Sequence, residues 1–249
     1  MKKVDLHMHS KYSDGSCTVI ELLKKANQEK LSIISITDHD IISAYEELTD
    51  KEILSNFDGH IISGCECKSV YNQIPIEILG YGFDIEMFSK SFILKKKDLK
   101  EIQTEYLEYL KKIAKKIGLI FNQEITIDDN FIYASDCLER ELKRYPENSE
   151  ILKRNNIFIE TNFYRDCQSN KSSIFYIDET KNFPKPEEVI NEIHVAGGLA
   201  FLAHPFLYPF KNQKEEIENI VKKYNIDGVE CYYSLFNEKE TNYEKSIDF

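Results

Sequence analysis

Four short apolar segments of this 249-residue chain contain, near the point where each ends, a side chain that can bind a metal ion. These side chains are His9, His39, Glu66 and His204. The segments are predicted as strands because they are apolar and rich in β-branched residues, and helical patterns separate them. Strands that alternate with helices form right-handed βαβ units and a parallel sheet. Because the carboxyl ends of such strands meet at one edge, the sequence predicts a single site there.

The predicted elements give this arrangement explicit boundaries. The predicted strands cover residues 4–9, 32–37, 60–67, 74–83 (interrupted at Gly80 and Gly82), 199–203 and 228–233. The predicted helices cover residues 18–30 (with Thr18 as N-cap), 43–56, 86–118 (one helix or two, ended by Gly118), 186–195, 214–224 and 238–247. Residues 121–181 are polar and weakly periodic, and we interpret residues 89–181 as a mainly helical insertion.

The pattern indicates an α/β fold with a (β/α) barrel as the first choice. An open doubly wound sheet is the alternative. It would more often carry a glycine-rich phosphate loop after the first strand, and no such loop follows residues 4–9.

Composition limits the partners that the chain can bind. Its formal net charge of −11 argues against non-specific binding to nucleic acid or to an anionic membrane. A phosphorylated substrate is still allowed, because bound metal ions reverse the potential of an acidic pocket. We find no apolar run that approaches the length of a membrane span. The six cysteines form no C-x-x-C pair, and no signal peptide precedes the first strand, so we expect reduced thiols and a cytoplasmic protein.

The first histidine pair is the strongest local signal for metal. Alternate residues of a strand face the same side, so His7 and His9 project their imidazoles together. His39 stands in an unusual charged triplet after an Ile-rich strand, and His204 ends an apolar run just before a proline. We interpret the two remaining histidines, His60 and His194, as structural.

Two carboxylates extend the candidate site. Glu66 lies in a segment that is otherwise predicted as buried, and a buried carboxylate must be paired or bound to a metal ion. We favour a metal ligand over a structural ion pair. Cys65 and Cys67 flank it and are predicted to face away, into the core. Asp14 belongs to an Asp-Gly turn, but its place directly after the histidine strand favours metal contact.

Together these segments resemble the successive motifs of a known family. They are Asp5-Leu6-His7-Met8-His9-Ser10, Tyr12-Ser13-Asp14-Gly15, Ile36-Thr37-Asp38-His39-Asp40, Gly64-Cys65-Glu66, Leu79-Gly80-Tyr81 and Ala203-His204-Pro205. The series is similar to that of the PHP (polymerase and histidinol phosphatase) domain family. The resemblance runs from residue 4 to about residue 233 and is weakest over residues 89–181. Within the family, the chain looks most similar to stand-alone bacterial phosphoesterases that act on nucleotides or related small molecules.

The resemblance implies one domain over residues 1–249 with a distorted, TIM-like (β/α)7 barrel and two or three divalent ions. His7, His9 and Glu66 would hold one ion, and Asp14 and His39 would help to hold another. Glu66 and His204 would hold the third, together with a histidine that the family usually places just before Leu-Gly-Tyr.

The chain departs from the family at that last histidine. Glu77 stands near the corresponding position, in Ile76-Glu77-Ile78-Leu79. A carboxylate favours Mn²⁺, Mg²⁺ or Fe²⁺ over Zn²⁺. The alternative is that Glu77 faces solvent and that one metal position is weakened.

A second departure lies at the end of the sequence. The family closes its site with Asp-x-His, whereas this sequence ends at Ser246-Ile247-Asp248-Phe249. We therefore expect the last barrel strand and its two ligands to be absent, and we do not assign Asp248 to the site. Either the chain is a fragment or a prematurely ended form, or it has lost activity. An unpaired neighbouring strand would favour self-association.

The function predicted from these residues is hydrolysis of a small phosphate ester, such as a nucleotide, by a metal-bound hydroxide. Arg165, Lys171 and Lys181 are candidate contacts for the substrate phosphate, and Arg165 is the one we select. The alternative, which we favour for each residue taken singly, is a solvated surface charge. We expect no stable nucleic-acid partner and no membrane association. The chain could instead be an inactive metal-binding remnant of such an enzyme, or a hydrolase of a non-phosphate substrate.

Overall fold

The computed structural model describes residues 3–94, 99–127 and 133–233. The chain divides into two compact units, one of residues 1–95 with 182–249 and one of residues 96–181. In the described parts, no helix is both long enough and apolar enough to cross a membrane. The predicted helix 238–247, Asp248 and the predicted loss of the last strand all concern residues outside the described ranges.

The first unit is an α/β structure, and the second is helical. The strands, all in the first unit, are β1 (Lys3–Met8), β2 (Leu31–Ile36), β3 (His60–Ile61), β4 (Gly64–Tyr71), β5 (Ile74–Tyr81), β6 (Leu199–Leu202) and β7 (Gly228–Val229). The α-helices in chain order are α1 (Val19–Gln28), α2 (Ala44–Glu47), α3 (Lys51–Leu54), α4 (Ile85–Phe88), α5 (Leu99–Lys116), α6 (Ala134–Leu142), α7 (Asn148–Arg154), α8 (Pro186–Val195) and α9 (Gln213–Tyr224). Helices α5, α6 and α7 belong to the second unit.

The first sheet is parallel, in the order β1-β2-β3, as predicted. Helix α1 packs its apolar side on this sheet, where Leu23 and Ile34 are fully buried. Thr18 is the N-cap of this helix as predicted, because Thr18 and Glu21 form a reciprocal capping box. The β1-α1-β2 unit therefore holds His7, and His9 directly after β1, at the edge of the first sheet.

The second sheet contradicts the prediction of an all-parallel arrangement. Its order is β4-β5-β6-β7, and only its last pair is parallel. Strands β4 and β5 form a hairpin in which Asn72 and Gln73 both have positive φ, at 48° and 63°. Two such residues make a tight turn that matches the twist of the strands. The sequence signal was missed because neither residue is glycine.

Several predicted elements have different boundaries in the structure, among them the helix predicted at 86–118, which is α4 and α5, and the strand predicted at 228–233, of which only Gly228–Val229 is a strand. The predicted strand 60–67 is two strands, β3 and β4, which belong to different sheets. The predicted helix 43–56 is two helices, because Asp50 caps a new one through the N–H of Glu52. The predicted break at Gly80 does not occur: β5 runs through it, and an added Cβ there would lie 3.0 Å from Ile193.

The core of the first unit lies between the second sheet and its helices. Cys65 and Cys67 are fully buried in it, with their Sγ atoms 3.7 Å apart, so they face the core as predicted. Ile193 of α8 and Ile217 of α9 complete this cluster from the helical side. All six cysteines are free. Strand β4 therefore presents cysteines to the core and Glu66 to its opposite face.

The second unit has a hydrophobic core of its own, which includes Leu110, Leu138, Phe163 and Phe175. Helix α5 ends before Gly118, whose φ is 82°, as the sequence predicted. In the described residues the strands form two separate sheets and no closed barrel, so the distorted (β/α)7 barrel stays a prediction.

The capping box of α1 gives a direct stability test. Replacing Thr18 with Ala removes the acceptor for the Glu21 N–H and is expected to lower the free energy of unfolding by about 1 kcal/mol. Urea denaturation measures the change. Thr18→Ser keeps the hydroxyl and should stay close to the wild type; equal losses in both variants would show that the cap is not the cause.

Candidate metal centre

The carboxylate of Glu66 lies at the centre of a histidine cluster. Glu66 is 1% exposed. Its Oε2 lies 3.1 Å from Nε2 of His7, 3.2 Å from Nε2 of His9 and 3.4 Å from Nδ1 of His39. Its Oε1 lies 3.0 Å from Nε2 of His204. The structure thus brings all four predicted histidines around the predicted carboxylate.

These side chains come from both sheets of the first unit. His7 is in β1, His9 and His39 follow β1 and β2, and His204 follows β6. Glu66 was predicted at the carboxyl end of its strand, and this is wrong. It lies near the start of β4, which continues to Tyr71, and a parallel bridge aligns it with His39. The start of β4 reaches the shared edge because it pairs with the residues that follow the end of β2, through hydrogen bonds from Glu66 N–H to Asp38 and from Asp40 N–H to Glu66.

Asp14 reaches the same cluster from a turn. Its Oδ1 lies 3.3 Å from Nδ1 of His9, and its Oδ2 lies 3.6 Å from Nε2 of His39. The Asp14 side chain is 46% exposed, so it forms the solvent side of the cluster.

A buried aspartate fixes the turn that carries Asp14. Asp38 accepts hydrogen bonds from the backbone N–H of Ser10 at 2.7 Å and from the hydroxyl of Ser13 at 2.6 Å. Gly15 packs so closely on β1 that an added Cβ would lie 2.0 Å from the His9 carbonyl oxygen. Asp38 was predicted only to flank His39, although a carboxylate directly after a buried strand was a usable signal.

Glu77 also faces the cluster. Its Oε2 lies 3.0 Å from Nε2 of His204, and its Oε1 lies 3.4 Å from Nδ1 of His39. Tyr208 accepts a hydrogen bond from the Glu77 backbone N–H at 2.9 Å, which holds β5 at this point. The alternative that Glu77 merely faces solvent is therefore wrong, while its role as a ligand stays a prediction.

Glu230 was not predicted as a site residue. It follows β7, and its Oε1 lies 2.8 Å from Nδ1 of His7. Its Oε2 accepts a hydrogen bond from the backbone N–H of His204 at 2.7 Å. The available signal was a single carboxylate within a segment predicted as a strand, the kind of signal that drew attention to Glu66.

Other predicted residues lie outside this cluster. Arg165 is an exposed residue of the helical turn Tyr164–Gln168 in the second unit, and its contact with substrate stays a prediction. His194 pairs with Asp227 at 2.7 Å, and His60 is exposed at the start of β3. Neither histidine belongs to a group of candidate metal ligands among the described residues, and their structural role stays a prediction.

The donor atoms fit divalent metal ions. Three overlapping groups have ligand atoms within 4.8 Å of one another: His7, His9 and Glu66; His9, Asp14 and His39; and His39, Glu66 and Glu77. The buried Nδ1 of His39 has no hydrogen-bond partner among the described residues, although two carboxylates face it. A neutral imidazole has one N–H, so a ring with carboxylates at both nitrogens requires either a proton or a metal ion at the second one. Nitrogen and oxygen donors of this kind suit Mn²⁺, Fe²⁺ or Zn²⁺.

The metal-free electrostatics show how strongly the cluster attracts positive charge. Burial opposes a charge on His7, but hydrogen bonds to Glu230 and Glu66 outweigh it and raise its pKa to about 10. Similar contacts raise the pKa of His204 to about 10 and that of His39 to about 9, again against the effect of burial. Burial works against the charge of Glu66, yet its histidine partners hold its pKa well below the usual range. Without metal, protons take the place of cations here.

The fold and this cluster together define a class of protein. An α/β structure that gathers histidines and carboxylates around one buried glutamate is typical of metal-dependent hydrolases. The PHP domain family matches residues 5–170, and the chain belongs to this family. The resemblance drawn from the motifs is thereby confirmed.

Relatives of this chain include a ribonuclease and a phosphatase. The chain is 27% identical over 209 residues to a 5'-3' exoribonuclease of Haemophilus influenzae, a match that covers 83% of this chain and 70% of the relative. It is 27% identical over 84 residues to a 3',5'-nucleoside bisphosphate phosphatase of Chromobacterium violaceum, covering 34% of this chain and 29% of the relative. An amidohydrolase structure from Chromobacterium violaceum, with bound sulfate and no metal, has a TM-score of 0.69 at 19% identity. That likeness covers 92% of this chain and 77% of the other and concerns the fold.

The raised histidine pKa values predict that the metal-free protein loses stability as the pH rises from about 7 to about 10. Above the ordinary pKa of 6.5, the folded state binds more protons than the unfolded state, so each rise in pH favours unfolding until the folded pKa values are passed. Thermal melts across this range, with a chelator present, measure the effect. Saturating Mn²⁺ should weaken the dependence because metal replaces the protons. A metal-free midpoint that stays constant or rises would contradict the assignment.

Proposed function

We propose that this protein is a metal-dependent phosphoesterase that hydrolyses phosphate monoesters of nucleotides or related small molecules. The observation that carries the proposal is the buried Glu66 carboxylate, shared between overlapping groups of donor atoms. Sharing of donors is the arrangement needed to hold ions a few ångströms apart, as two-metal hydrolases do. Membership of the PHP family and the phosphatase relative support the same reaction class.

The donor groups support two or three ions. His7, His9 and Glu66 would hold the first, and Asp14, His9 and His39 surround a second position. Glu66, Glu77 and His204 would hold a third, with His39 on its other side. When bound, divalent ions lower the pKa of a water molecule and neutralise the oxygens of a phosphate. Mn²⁺, Fe²⁺, Zn²⁺ and Mg²⁺ are the candidate ions.

The side chains of the cluster would hold the metal ions, and none of them is proposed as the nucleophile. The hydroxyls of Ser10 and Ser13 lie beside the cluster, but both donate hydrogen bonds to Asp38 and are held by it. Cys65 and Cys67 face the core on the other side of β4. These placements favour attack by water over a covalent intermediate on a side chain. Substrate would enter from the side of Asp14, where the cluster is exposed to solvent.

We base the proposed substrate class on the known relatives of the chain and on its net negative charge. The exoribonuclease and phosphatase relatives are both enzymes of nucleotide phosphate esters, and the net charge of −11 favours a small substrate over a long polyanion. We include Arg165, with Lys171 and Lys181, as proposed contacts for the substrate phosphate. Arg165 would be preferred because a guanidinium binds phosphate through two parallel hydrogen bonds.

Exoribonuclease activity is the second candidate. The match to the Haemophilus influenzae enzyme spans most of both chains, which favours an RNA end as substrate. Such an enzyme would release nucleotides from a 5' end, whereas a phosphatase would release inorganic phosphate. The two functions use the same metal centre and differ in what lies beside the scissile phosphate. A hydrolase of a non-phosphate ester and an inactive remnant would each show no phosphate chemistry.

Catalysis is tested with a substrate panel at saturating Mn²⁺. We expect phosphate release from a 3',5'-nucleoside bisphosphate, and His9→Ala should reduce the rate by about a hundredfold or more, since even outer partners of metal ligands are worth about 10–100-fold. A short 5'-phosphorylated oligoribonucleotide, analysed for released nucleotides, distinguishes the exoribonuclease. His60→Ala, which changes an exposed histidine outside the cluster, is the matched control and should keep full activity.

Absence of any metal-dependent hydrolysis by the wild type would contradict the proposed reaction. Metal analysis of the same sample adds an independent result, because a working centre of this type holds at least about two ions per chain. Less than about one ion would favour the inactive remnant.

The carboxylate of Glu77 should tune which metal is bound. Replacing it with His supplies an imidazole to the third position and is expected to raise the Zn²⁺-to-Mn²⁺ affinity ratio by about tenfold, because imidazole suits Zn²⁺ and carboxylate suits Mn²⁺. Equilibration with equal concentrations of both ions, followed by elemental analysis, measures the ratio. Glu77→Asp keeps a carboxylate and should leave the preference unchanged. An unaltered ratio in Glu77→His would remove Glu77 from the proposed ligands.

A further inference from the structure

We propose that Glu230 is a positioning residue that fixes two proposed ligands, His7 and His204, with the two oxygens of one carboxylate. This inference rests on the proposed metal centre and adds a residue outside its donor set. Glu230 belongs to none of the three groups of donor atoms found among the described residues. It contacts Nδ1 of His7 and the backbone N–H of His204, whereas Glu66 faces the Nε2 atoms of both histidines.

The first contact determines how His7 is presented. An ionised carboxylate only accepts hydrogen bonds, so Nδ1 of His7 must carry the hydrogen that it donates to Glu230 at 2.8 Å. In the neutral imidazole, the lone pair then lies on Nε2, which points at Oε2 of Glu66 from 3.1 Å. A carboxylate that holds the far nitrogen of a metal-binding histidine fixes both its tautomer and its ring orientation. His7 and Glu230 are only 18% and 12% exposed, so water competes weakly for this bond.

The second contact supports an unusual backbone at His204. This residue has φ 25° and ψ 59°, a conformation that costs energy for any residue other than glycine. Oε2 of Glu230 accepts its backbone N–H at 2.7 Å, which stabilises that conformation. The conformation in turn directs Nε2 of His204 toward Glu66 and Glu77, each 3.0 Å away.

Glu230 is itself held in place by the sheet. Its backbone N–H donates to the carbonyl of Leu202 at 2.9 Å, continuing the parallel pairing of β6 and β7. His7 belongs to β1 of the other sheet. One carboxylate therefore couples a ligand of the first sheet to a ligand of the second, across a boundary where the described strands do not pair with each other.

The chain contains a matched control for this arrangement. Asp227 accepts from Nε2 of His194 at 2.7 Å and from the backbone N–H of Ala200 at 2.8 Å. It thus makes the same two kinds of contact from the same segment, but with a histidine outside the metal cluster. A substitution of Asp227 therefore measures how much stability the protein loses with such a carboxylate, while every proposed metal ligand keeps its contacts.

The experiment compares Mn²⁺ affinity by isothermal titration calorimetry for the wild type, Glu230→Gln, Glu230→Ala and Asp227→Asn. Glu230→Gln keeps one oxygen acceptor but presents an amide N–H₂ to the second donor, so it cannot satisfy both contacts. We expect Glu230→Gln and Glu230→Ala to bind Mn²⁺ about 10–100-fold more weakly and Asp227→Asn to bind it as the wild type does. With Zn²⁺ bound, ¹⁵N spectra should show His7 protonated at Nδ1 in the wild type.

Each outcome decides the inference. Weaker Mn²⁺ binding in Glu230→Gln, at an unfolding temperature no lower than that of Asp227→Asn, supports it. Unchanged affinity in Glu230→Gln, or an equal loss in Asp227→Asn, overturns it and leaves the proposed function intact. If the wild type binds none of Mn²⁺, Fe²⁺, Zn²⁺ and Mg²⁺, the proposed metal-dependent function is wrong and the role of Glu230 is wrong with it. Should Glu230→Ala fail to fold, the nearly isosteric Glu230→Gln carries the comparison.

Discussion

The first unit is organised around one carboxylate that has been removed from water. Glu66 is 1% exposed, and an uncompensated charge at that depth would cost several kcal/mol. The chain compensates it with four imidazoles from three separate segments, so the register of each strand and the course of each loop must agree at this point. His7, His39 and His204 in turn depend on this acidic surrounding, because contacts with Glu66 and the neighbouring carboxylates raise their pKa values against the effect of burial. Protons and metal ions are alternative occupants of the same electrostatic position.

The mixed topology is what allows two carboxylates to reach the cluster from adjacent strands. In the β4–β5 hairpin, Glu66 pairs with Leu79 and Lys68 pairs with Glu77, so Glu66 and Glu77 are diagonal neighbours. Diagonal neighbours on one face lie close enough for their side chains to contact a common group. An all-parallel sheet would place these residues on strands joined by a longer connection. The hairpin is therefore a condition for the donor set, and its tight turn at Asn72 and Gln73 is a condition for the hairpin.

In this cluster, the side chains proposed as metal ligands and the residues that fix their positions are two different sets. Asp38 fixes the turn of Asp14, Tyr208 holds the backbone of Glu77, and Glu230 contacts His7 and His204. These holding contacts are all short polar bonds in buried or half-buried surroundings, where each is stronger than it would be in water.

The sequence alone determined the chemistry of the site and much of its local structure. Alternation placed His7 and His9 on one face, Thr18 and Glu21 marked the start of a helix, and the motif series identified the family. These are properties of neighbouring residues, which a linear pattern records. Tertiary structure alone decided that β4 turns back on β5 and that Glu230 lies 2.8 Å from His7. Those two residues are 223 positions apart, and nothing local specifies which distant carboxylate will lie behind a histidine. That choice follows from the pairing of whole strands, which depends on the packing of the entire core.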